Sequence, residues 1–219
     1  MRLISKRRFS RPVYSIVIVL SVLLLVSYSY AQKPTAKTFL DIGVKNARET
    51  EYSEAIDAFR HAVKLKPDYA EAYYNLGHAY YNLHRYTEAI DAYKKAVEVR
   101  PKYVDAYISL GVVSSMLSNY DEAVVALKKA VKYGPRNAEA PYRLGIVYTE
   151  LERHEEAVKA FKKAVKINPR FAQARFNLGV AYLELRGKLL KSANREYNTL
   201  KGLDKDLAGE LGKRIRGKK

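Results

Sequence analysis

The 219-residue chain contains no cysteine and no tryptophan. Without cysteine it cannot form a disulfide framework, a thiolate zinc site or an iron–sulfur cluster, and it has no thiol nucleophile. A bacterial lipoprotein is excluded too, because its lipid is attached to a cysteine. Glycine (11) and proline (7) are scarce, while hydrophobic residues make up 48% and charged residues 29% of the chain. This composition is typical of a folded, helical protein.

Acidic residues are also few, since 23 Asp and Glu face 40 Lys and Arg. The net charge of +17 is unevenly distributed, because residues 1–31 contain five basic residues and no acidic one. A basic excess attracts anionic lipid, cell-wall polymer or nucleic acid, but it also simply raises solubility. We favour solubility for the body of the chain.

The N-terminal segment is predicted to direct the chain out of the cytoplasm. A basic stretch ending at Arg11 precedes the apolar run 16–26, and small residues follow at Ser29 and Ala31. This order is typical of a signal peptide cleaved before Gln32. The alternative is an uncleaved membrane anchor, although a spanning helix needs about 20 apolar residues. Both interpretations predict an exported chain, either periplasmic or extracellular, or anchored in the inner membrane with its body outside the cytoplasm.

Residue types recur along the remaining chain with a period of 34 and no insertion. Within each period, apolar residues are spaced three and four apart in two stretches, which predicts two helices joined by a tight turn. Proline ends the second helix because it lacks a backbone donor. The predicted repeat-packing positions are Gly43, Gly77, Gly111, Gly145 and Gly179, then Ala55, Ala89, Ala123 and Ala157, and finally Pro67, Pro101, Pro135 and Pro169.

The segment 70–101, AEAYYNLGHAYYNLHRYTEAIDAYKKAVEVRP, closely resembles the tetratricopeptide repeat. The resemblance implies an all-α, right-handed superhelical solenoid of about five helix-turn-helix repeats, in which each helix buries its face against its neighbours. Glycine and alanine at the repeating positions allow the helices to approach closely. The predicted domains are a signal peptide or anchor at 1–31, a linker at 32–35, repeats at 36–69, 70–103, 104–137, 138–171 and 172–204, and a capping helix with a basic tail at 205–219.

Several positions depart from the repeat pattern. Ser114 stands where the third repeat should have tyrosine, and Pro141 and Arg175 replace an aromatic residue in the last two repeats. Proline is tolerated in the first turn of a helix. In the fifth repeat, the second helix aligns best when Ala193 and Tyr197 are shifted by two residues.

In this family the first helix of each repeat lines a concave groove where peptides usually bind. The resemblance therefore implies an apolar and aromatic groove with an acidic rim at Glu71, Asp105 and Glu139, and with Lys37 and Gln173 at its ends. Packing against a neighbouring helix is the alternative role at each groove position. The clamp of Lys, Arg and Asn that holds chaperone C-termini in some members is absent. The predicted groove residues are Leu40, Val44, Tyr74, His78, Ile108, Val112, Tyr142, Ile146, Phe176 and Val180.

No catalytic, cofactor or metal site is predicted. The sequence has no glycine-rich phosphate loop, no G-x-S-x-G turn and no H-E-x-x-H motif. The four histidines, at 61, 78, 84 and 154, form no pair on one helix face, and those at 84 and 154 are expected in solvated turns. We therefore expect a non-enzymatic, exported scaffold that binds a protein or peptide and not nucleic acid. The alternative is a membrane-tethered accessory subunit of an envelope complex, whose basic outer face contacts anionic lipid or wall polymer.

Overall fold

The structure is a computed structural model that describes Leu20 and residues 33–185 and 190–217. The predicted cleavage site and the last two residues of the basic tail lie outside the described residues. Eleven helices follow one another from residue 36 onward within these ranges. They are α1 (Ala36–Arg48), α2 (Tyr52–Leu65), α3 (Ala70–Asn82), α4 (Tyr86–Val99), α5 (Val104–Met116), α6 (Tyr120–Tyr133), α7 (Glu139–Glu150), α8 (His154–Ile167), α9 (Ala172–Glu184), α10 (Leu190–Leu200) and α11 (Lys205–Gly217).

Each helix packs mainly against the helices before and after it, so the chain forms a continuous stack of helical pairs. The prediction of an all-α solenoid is confirmed. The first helix begins with a capping box, in which Thr35 and Thr38 exchange side-chain and backbone hydrogen bonds. None of the described helices is long and apolar enough to cross a membrane.

The turn inside each of the first four repeats contains one residue in the left-handed conformation. These residues are Thr50, His84, Ser118 and Glu152, with φ between 54° and 63°. In the second repeat, the backbone N–H of Arg85 donates to the carbonyl of Tyr80 at 2.9 Å, across this turn. Such a bond satisfies a carbonyl that the end of the helix leaves free. The left-handed turn residue therefore also recurs with the 34-residue period. Residue type alone does not reveal it, because none of these four turn residues is glycine.

The repeating glycines lie where the two helices of a repeat approach most closely. A Cβ added to Gly77 would lie 2.6 Å from the ring of Tyr93, and Gly43 and Gly145 face Phe59 and Phe161 in the same way. The third repeat differs, because Gly111 faces Leu127 instead of a ring. The repeating alanines, which are Ala55, Ala89, Ala123 and Ala157, are completely buried.

The repeating prolines end helices, unlike the glycines and alanines that were predicted together with them as packing residues. Pro67, Pro101, Pro135 and Pro169 are exposed, two residues after the ends of α2, α4, α6 and α8. They terminate helices and contribute nothing to the buried packing, which corrects their assignment as packing residues. Pro141, in contrast, is buried in the first turn of α7.

The C-terminal unit contains three helices instead of two. The face of Gly179 is covered by Leu211 of α11, since an added Cβ would lie 2.6 Å from a methyl carbon of that leucine. Tyr197, which was expected to fill this place, packs against Gly212 instead. The expected alignment of Tyr197 is therefore wrong, because α11 contacts both α9 and α10 and takes over the contact that a second helix makes elsewhere.

Candidate functional site

The first helices of the repeats lie on the inner side of the stack. Contacts join α1 to α3, α5 to α7 and α7 to α9, whereas no comparable contact joins successive second helices in the described residues of the first four repeats. Because the first helices lie closer together, the surface that they form is the concave one. The sequence placed all ten groove residues on these helices.

Nine of the ten predicted groove residues reach the surface. His78 is exposed, and eight are half-buried, namely Val44, Tyr74, Ile108, Val112, Tyr142, Ile146, Phe176 and Val180. Leu40 is the exception, because only 3% of this residue is exposed and it belongs to the hydrophobic core. Leu40 is therefore corrected from a groove residue to a core residue.

Aromatic residues in the connections between repeats cover part of the groove, and the sequence analysis missed them. The ring of Tyr103 lies 5.0 Å from that of Tyr74, and the ring of Phe171 lies 4.7 Å from that of Tyr142, both measured between centroids. Tyr69 occupies the same position before the second repeat and packs against the core cluster to which Leu40 belongs. The spacing of 34 between these aromatic residues was the signal that could have identified them.

Tyr74 is the centre of an aromatic cluster. Besides Tyr103, its ring contacts His78 edge-on at 4.8 Å and Tyr93 at 5.9 Å. Burial raises the pKa of the Tyr74 phenol and raises that of Tyr103 to about 12. Loss of solvation lowers the pKa of His78, although the residue keeps an exposed edge. The cluster is therefore uncharged at neutral pH.

The middle of the groove is aliphatic. Ile108 and Val112 supply its surface on α5, and the connection before α7 has Asn137 at the position of the covering aromatic residue. Asn137 instead accepts a hydrogen bond from the backbone N–H of Ala140 at 3.0 Å. The groove thus alternates between ring-covered segments at Tyr74 and Tyr142 and an uncovered segment at the third repeat.

The acidic rim is less uniform than predicted. Glu71 and Asp105 are exposed and form no ion pair with a described residue, but Glu139 pairs with Arg143. At the N-terminal end, Lys37 pairs with Asp41 at 3.0 Å. Free negative charge on this rim is therefore concentrated at the second and third repeats.

Histidine and carboxylate residues do not converge on one point. In the described ranges, no three His, Asp or Glu side chains are close enough to hold a metal ion. His84 lies exposed in its turn, as expected, but His154 begins α8 and is half-buried with Nδ1 shielded from solvent. The expectation of a solvated turn is wrong for His154, because α8 starts at that residue.

Comparison with protein families agrees with this architecture. Tetratricopeptide repeat models match residues 70–103, 92–125 and 116–160, and a TPR repeat model matches 50–84 and 147–185. The chain belongs to the tetratricopeptide repeat (TPR) family. TPR domains bind protein or peptide partners, and TPR scaffolds are generally non-enzymatic. The chain is accordingly a protein–protein interaction scaffold.

Solved TPR structures share the fold. A crystal structure of MamA is 28% identical, with 84% of this chain and 91% of that chain covered and a TM-score of 0.65. MamA from Desulfovibrio magneticus RS-1 is 25% identical over 78% of this chain and 96% of that one, with a TM-score of 0.69. YrrB, described as a TPR protein with an unusual peptide-binding site, is 24% identical, with 86% of this chain and 97% of that chain covered and a TM-score of 0.71. No curated protein sequence matches the chain significantly.

Proposed function

We propose that this TPR protein is an exported, non-enzymatic scaffold that binds a peptide or protein partner in its concave groove. The observation that carries the proposal is the half-buried apolar surface that continues over the first helices of all five repeats. Apolar surface of this extent on a concave face is typical of a binding site. Export is supported by the basic stretch, the apolar run and the small residues at the N-terminus.

Aromatic side chains support the choice of a peptide ligand. Tyr74 and Tyr142 are half-buried, and their contacts with Tyr103 and Phe171 hold the rings in place. Aromatic anchors that are already immobilised lose little side-chain entropy on binding, and such residues dominate the energy of many interfaces. The described peptide-binding site of YrrB is consistent with this use of the fold, although the likeness at 24% identity concerns the fold alone.

Photo-crosslinking from two positions of the third repeat tests the proposal. A benzophenone amino acid replaces Val112 in the groove or, as the control, Val125, which is exposed on the second helix. We expect specific crosslinks to an envelope partner from position 112 and few from position 125. Crosslinks only from position 125 would contradict binding in the groove. N-terminal mass spectrometry of the exported protein tests cleavage before Gln32, and retention of Met1 contradicts it.

A second candidate function uses the outer face on anionic lipid or wall polymer. On α6 and α8, Lys128, Lys162 and Lys163 are exposed and form no ion pair with a described residue. In the second repeat the charge is compensated, because Lys94 pairs with Glu122 and Lys95 with Glu98. Surface electrostatic binding weakens steeply with salt, whereas binding in an apolar groove changes little. Co-sedimentation with anionic vesicles at increasing salt distinguishes the two functions.

A further inference from the structure

We infer that the N-terminal edge of the solenoid binds an amphipathic helix of a partner protein, and that this helix presents a lysine or arginine beside an aliphatic residue. The edge is the side of the first repeat against which no described repeat is stacked. It lies outside the concave groove and is a second binding surface, beyond the proposed function. Its residues are Phe39, Ile42, Glu54, Asp57, Ala58 and His61.

Residues at the same six positions of later repeats line clefts on the outer side of the stack. In each cleft they lie opposite the second helix of the preceding repeat, which contributes Val97 of α4 to one cleft and Val131 of α6 to the next. The N-terminal edge is therefore one half of such a cleft, and a helix is the element that completes it. The six residues of the third repeat are Tyr107, Leu110, Glu122, Val125, Ala126 and Lys129.

The first repeat keeps the internal geometry of the later ones at this edge. The rings of Phe39 and His61 stack with 5.0 Å between their centroids. At the same two positions of the third repeat, Lys129 lies over the ring of Tyr107 at 5.5 Å. The edge is therefore already arranged to receive a covering helix.

Ile42 is exposed at a position where every later repeat buries a leucine. The exposed fraction of Ile42 is 42%, whereas that of the leucines one to four periods later is between 2% and 7%. A helix that covers Ile42 removes apolar surface from water, which stabilises a complex. Terminal repeats of a solenoid need a polar outer face for solubility, so an isoleucine exposed here indicates a surface that a partner covers. The four leucines are Leu76, Leu110, Leu144 and Leu178.

The charge of the edge selects the type of helix. Glu54 and Asp57 are exposed, and neither forms an ion pair with a described residue. In the third repeat, Glu122 occupies the position of Glu54 and accepts Lys94 of the covering helix α4 at 2.6 Å. A lysine or arginine of a partner helix pairs with Glu54 in the same way. The free carboxylates therefore favour a basic helix.

The spacing of residues on α4 defines the motif that the partner helix carries. Val97 follows Lys94 by three residues and lines the cleft together with Leu110, which occupies the position of Ile42. Residues three apart lie on the same face of a helix. The partner helix therefore has Lys or Arg on its binding face, followed three residues later by Val, Ile or Leu.

The chain itself offers no such helix within the described residues. α2, α4, α6 and α8 each pack against the next repeat, and α10 and α11 do not contain the motif. The segment 1–32 does not contain it either. The opposite end of the stack is already covered, because Tyr197 of α10 packs against Gly212 of α11 and Ile215 is only 4% exposed. The helix that completes the N-terminal edge is therefore assigned to another protein.

The test measures the binding of a fluorescent helical peptide to the full chain in mild detergent by fluorescence anisotropy. The peptide is hydrocarbon-stapled and has the sequence of α6 (Tyr120–Tyr133), in which Lys128 and Val131 have the required spacing. We expect saturable binding. Lys128→Glu in the peptide should weaken binding about tenfold, because it brings like charges together.

A matched pair of substitutions in the chain locates the apolar contact. Ile42→Ser should weaken peptide binding about tenfold, because it removes the aliphatic side chain that the helix covers. Val125→Ser removes another exposed aliphatic side chain from the outer face and should change binding less than about twofold. Circular dichroism verifies that both variants remain folded. Equal losses from the two substitutions overturn the assignment of the edge.

A second matched pair tests the charge and separates the edge from the groove. Glu54→Gln with Asp57→Asn should weaken binding about fivefold. Glu71→Gln with Asp105→Asn removes two exposed charges from the groove rim and should leave binding unchanged. A loss from the groove pair alone overturns the edge site and places the peptide in the groove.

The wild-type chain distinguishes the remaining occupants. Absence of peptide binding overturns the edge site and leaves the groove proposal intact. Sedimentation velocity measures self-association of the full chain. Self-association that Ile42→Ser abolishes assigns the edge to a second copy and overturns the partner helix.

Discussion

The second and third repeats have the same backbone but differ in how their helices are held together. In the second repeat, the guanidinium of Arg85 lies over the ring of Tyr80 at 4.7 Å, and the ring of Tyr93 covers Gly77. The third repeat has a smaller or aliphatic residue at every corresponding place. The pairs at equal register are Tyr80 and Ser114, Arg85 and Asn119, Tyr93 and Leu127, and Tyr103 and Asn137.

A polar network replaces the missing ring of the third repeat. The hydroxyl of Ser114, which is completely buried, donates to Glu122 at 2.9 Å, and Glu122 accepts from Lys94 of the preceding repeat at 2.6 Å. The outer cleft beside it has a volume of about 310 Å³, compared with about 220 Å³ in the next cleft, which Tyr148 lines. Glycine, alanine and the turn therefore preserve the backbone, while the large side chains are interchangeable.

Substituting the glycines by valine tests this comparison with the largest expected effect. Gly77→Val places methyl groups against a planar ring that Tyr74 and His78 hold, so we expect a loss of about 3 kcal/mol in unfolding free energy. Gly111→Val meets Leu127, which can change rotamer, and is expected to cost about 1–3 kcal/mol. Urea denaturation measures both, and each transition should broaden because solenoid repeats contact only their neighbours.

The control for the glycine substitutions lies on the outer face of the same repeat. Lys128→Ala with Lys129→Ala should shift the midpoint little, because both side chains are exposed. A loss equal to that of Gly111→Val would contradict the assignment of inner and outer faces. A larger loss for Gly111→Val than for Gly77→Val would contradict the role given to the ring.

Removing the hydroxyl of Ser114 tests the polar network. Ser114→Ala leaves Glu122 with one fewer donor, and a hydrogen bond to a charged group contributes about 1.5–3 kcal/mol. We expect a loss near the lower figure, because Lys94 still donates to the carboxylate. Ser115→Ala, one residue along the same helix, is the matched control and should change the denaturation midpoint by less than half as much. Equal effects would show that the hydroxyl of Ser114 has no special role.

The pH dependence of stability tests the same carboxylate. Burial opposes ionisation of Glu122, but the hydrogen bonds from Lys94 and Ser114 prevail and lower its pKa. A carboxylate with a lowered pKa stabilises the fold above its unfolded-state pKa, and this contribution is lost as the pH falls through the folded-state value. The difference in urea midpoint between wild type and Glu122→Gln should therefore have its maximum value at pH 7 and decrease below about pH 5. A difference that is constant with pH would contradict the ionic role.

The sequence predicted the helical pairs, the buried glycines and alanines and most of the groove, because these follow from a strict period. It did not predict contacts in which one residue that departs from the repeat pattern is compensated by another. Arg175, an apparent defect in the fifth repeat, is half-buried against Glu196 of α10, and Leu211 of the last helix replaces a residue of that repeat. Such contacts join positions outside the period, so no alignment of one repeat with the next reveals them.

Replacing the left-handed turn residues by glycine is expected to have the smallest effect on the unfolding free energy and to stabilise the fold. Ser118 and His84 have φ of 59° and 57°, a conformation that costs a residue with a Cβ about 1–2 kcal/mol, whereas glycine pays instead about 0.5–1 kcal/mol of extra chain entropy. Ser118→Gly should therefore raise the unfolding free energy by about 0.5–1 kcal/mol. His84→Gly should gain less stability, because Nδ1 of His84 lies 2.9 Å from the hydroxyl of Tyr86 and that hydrogen bond is lost.

Ser53→Gly, in the first turn of α2, is the control and should be destabilising, since its backbone is helical. Since the turn geometry is common to both repeats, a stabilisation by Ser118→Gly together with a large loss from His84→Gly would mean that the His84–Tyr86 contact, and not the backbone, distinguishes the two turns.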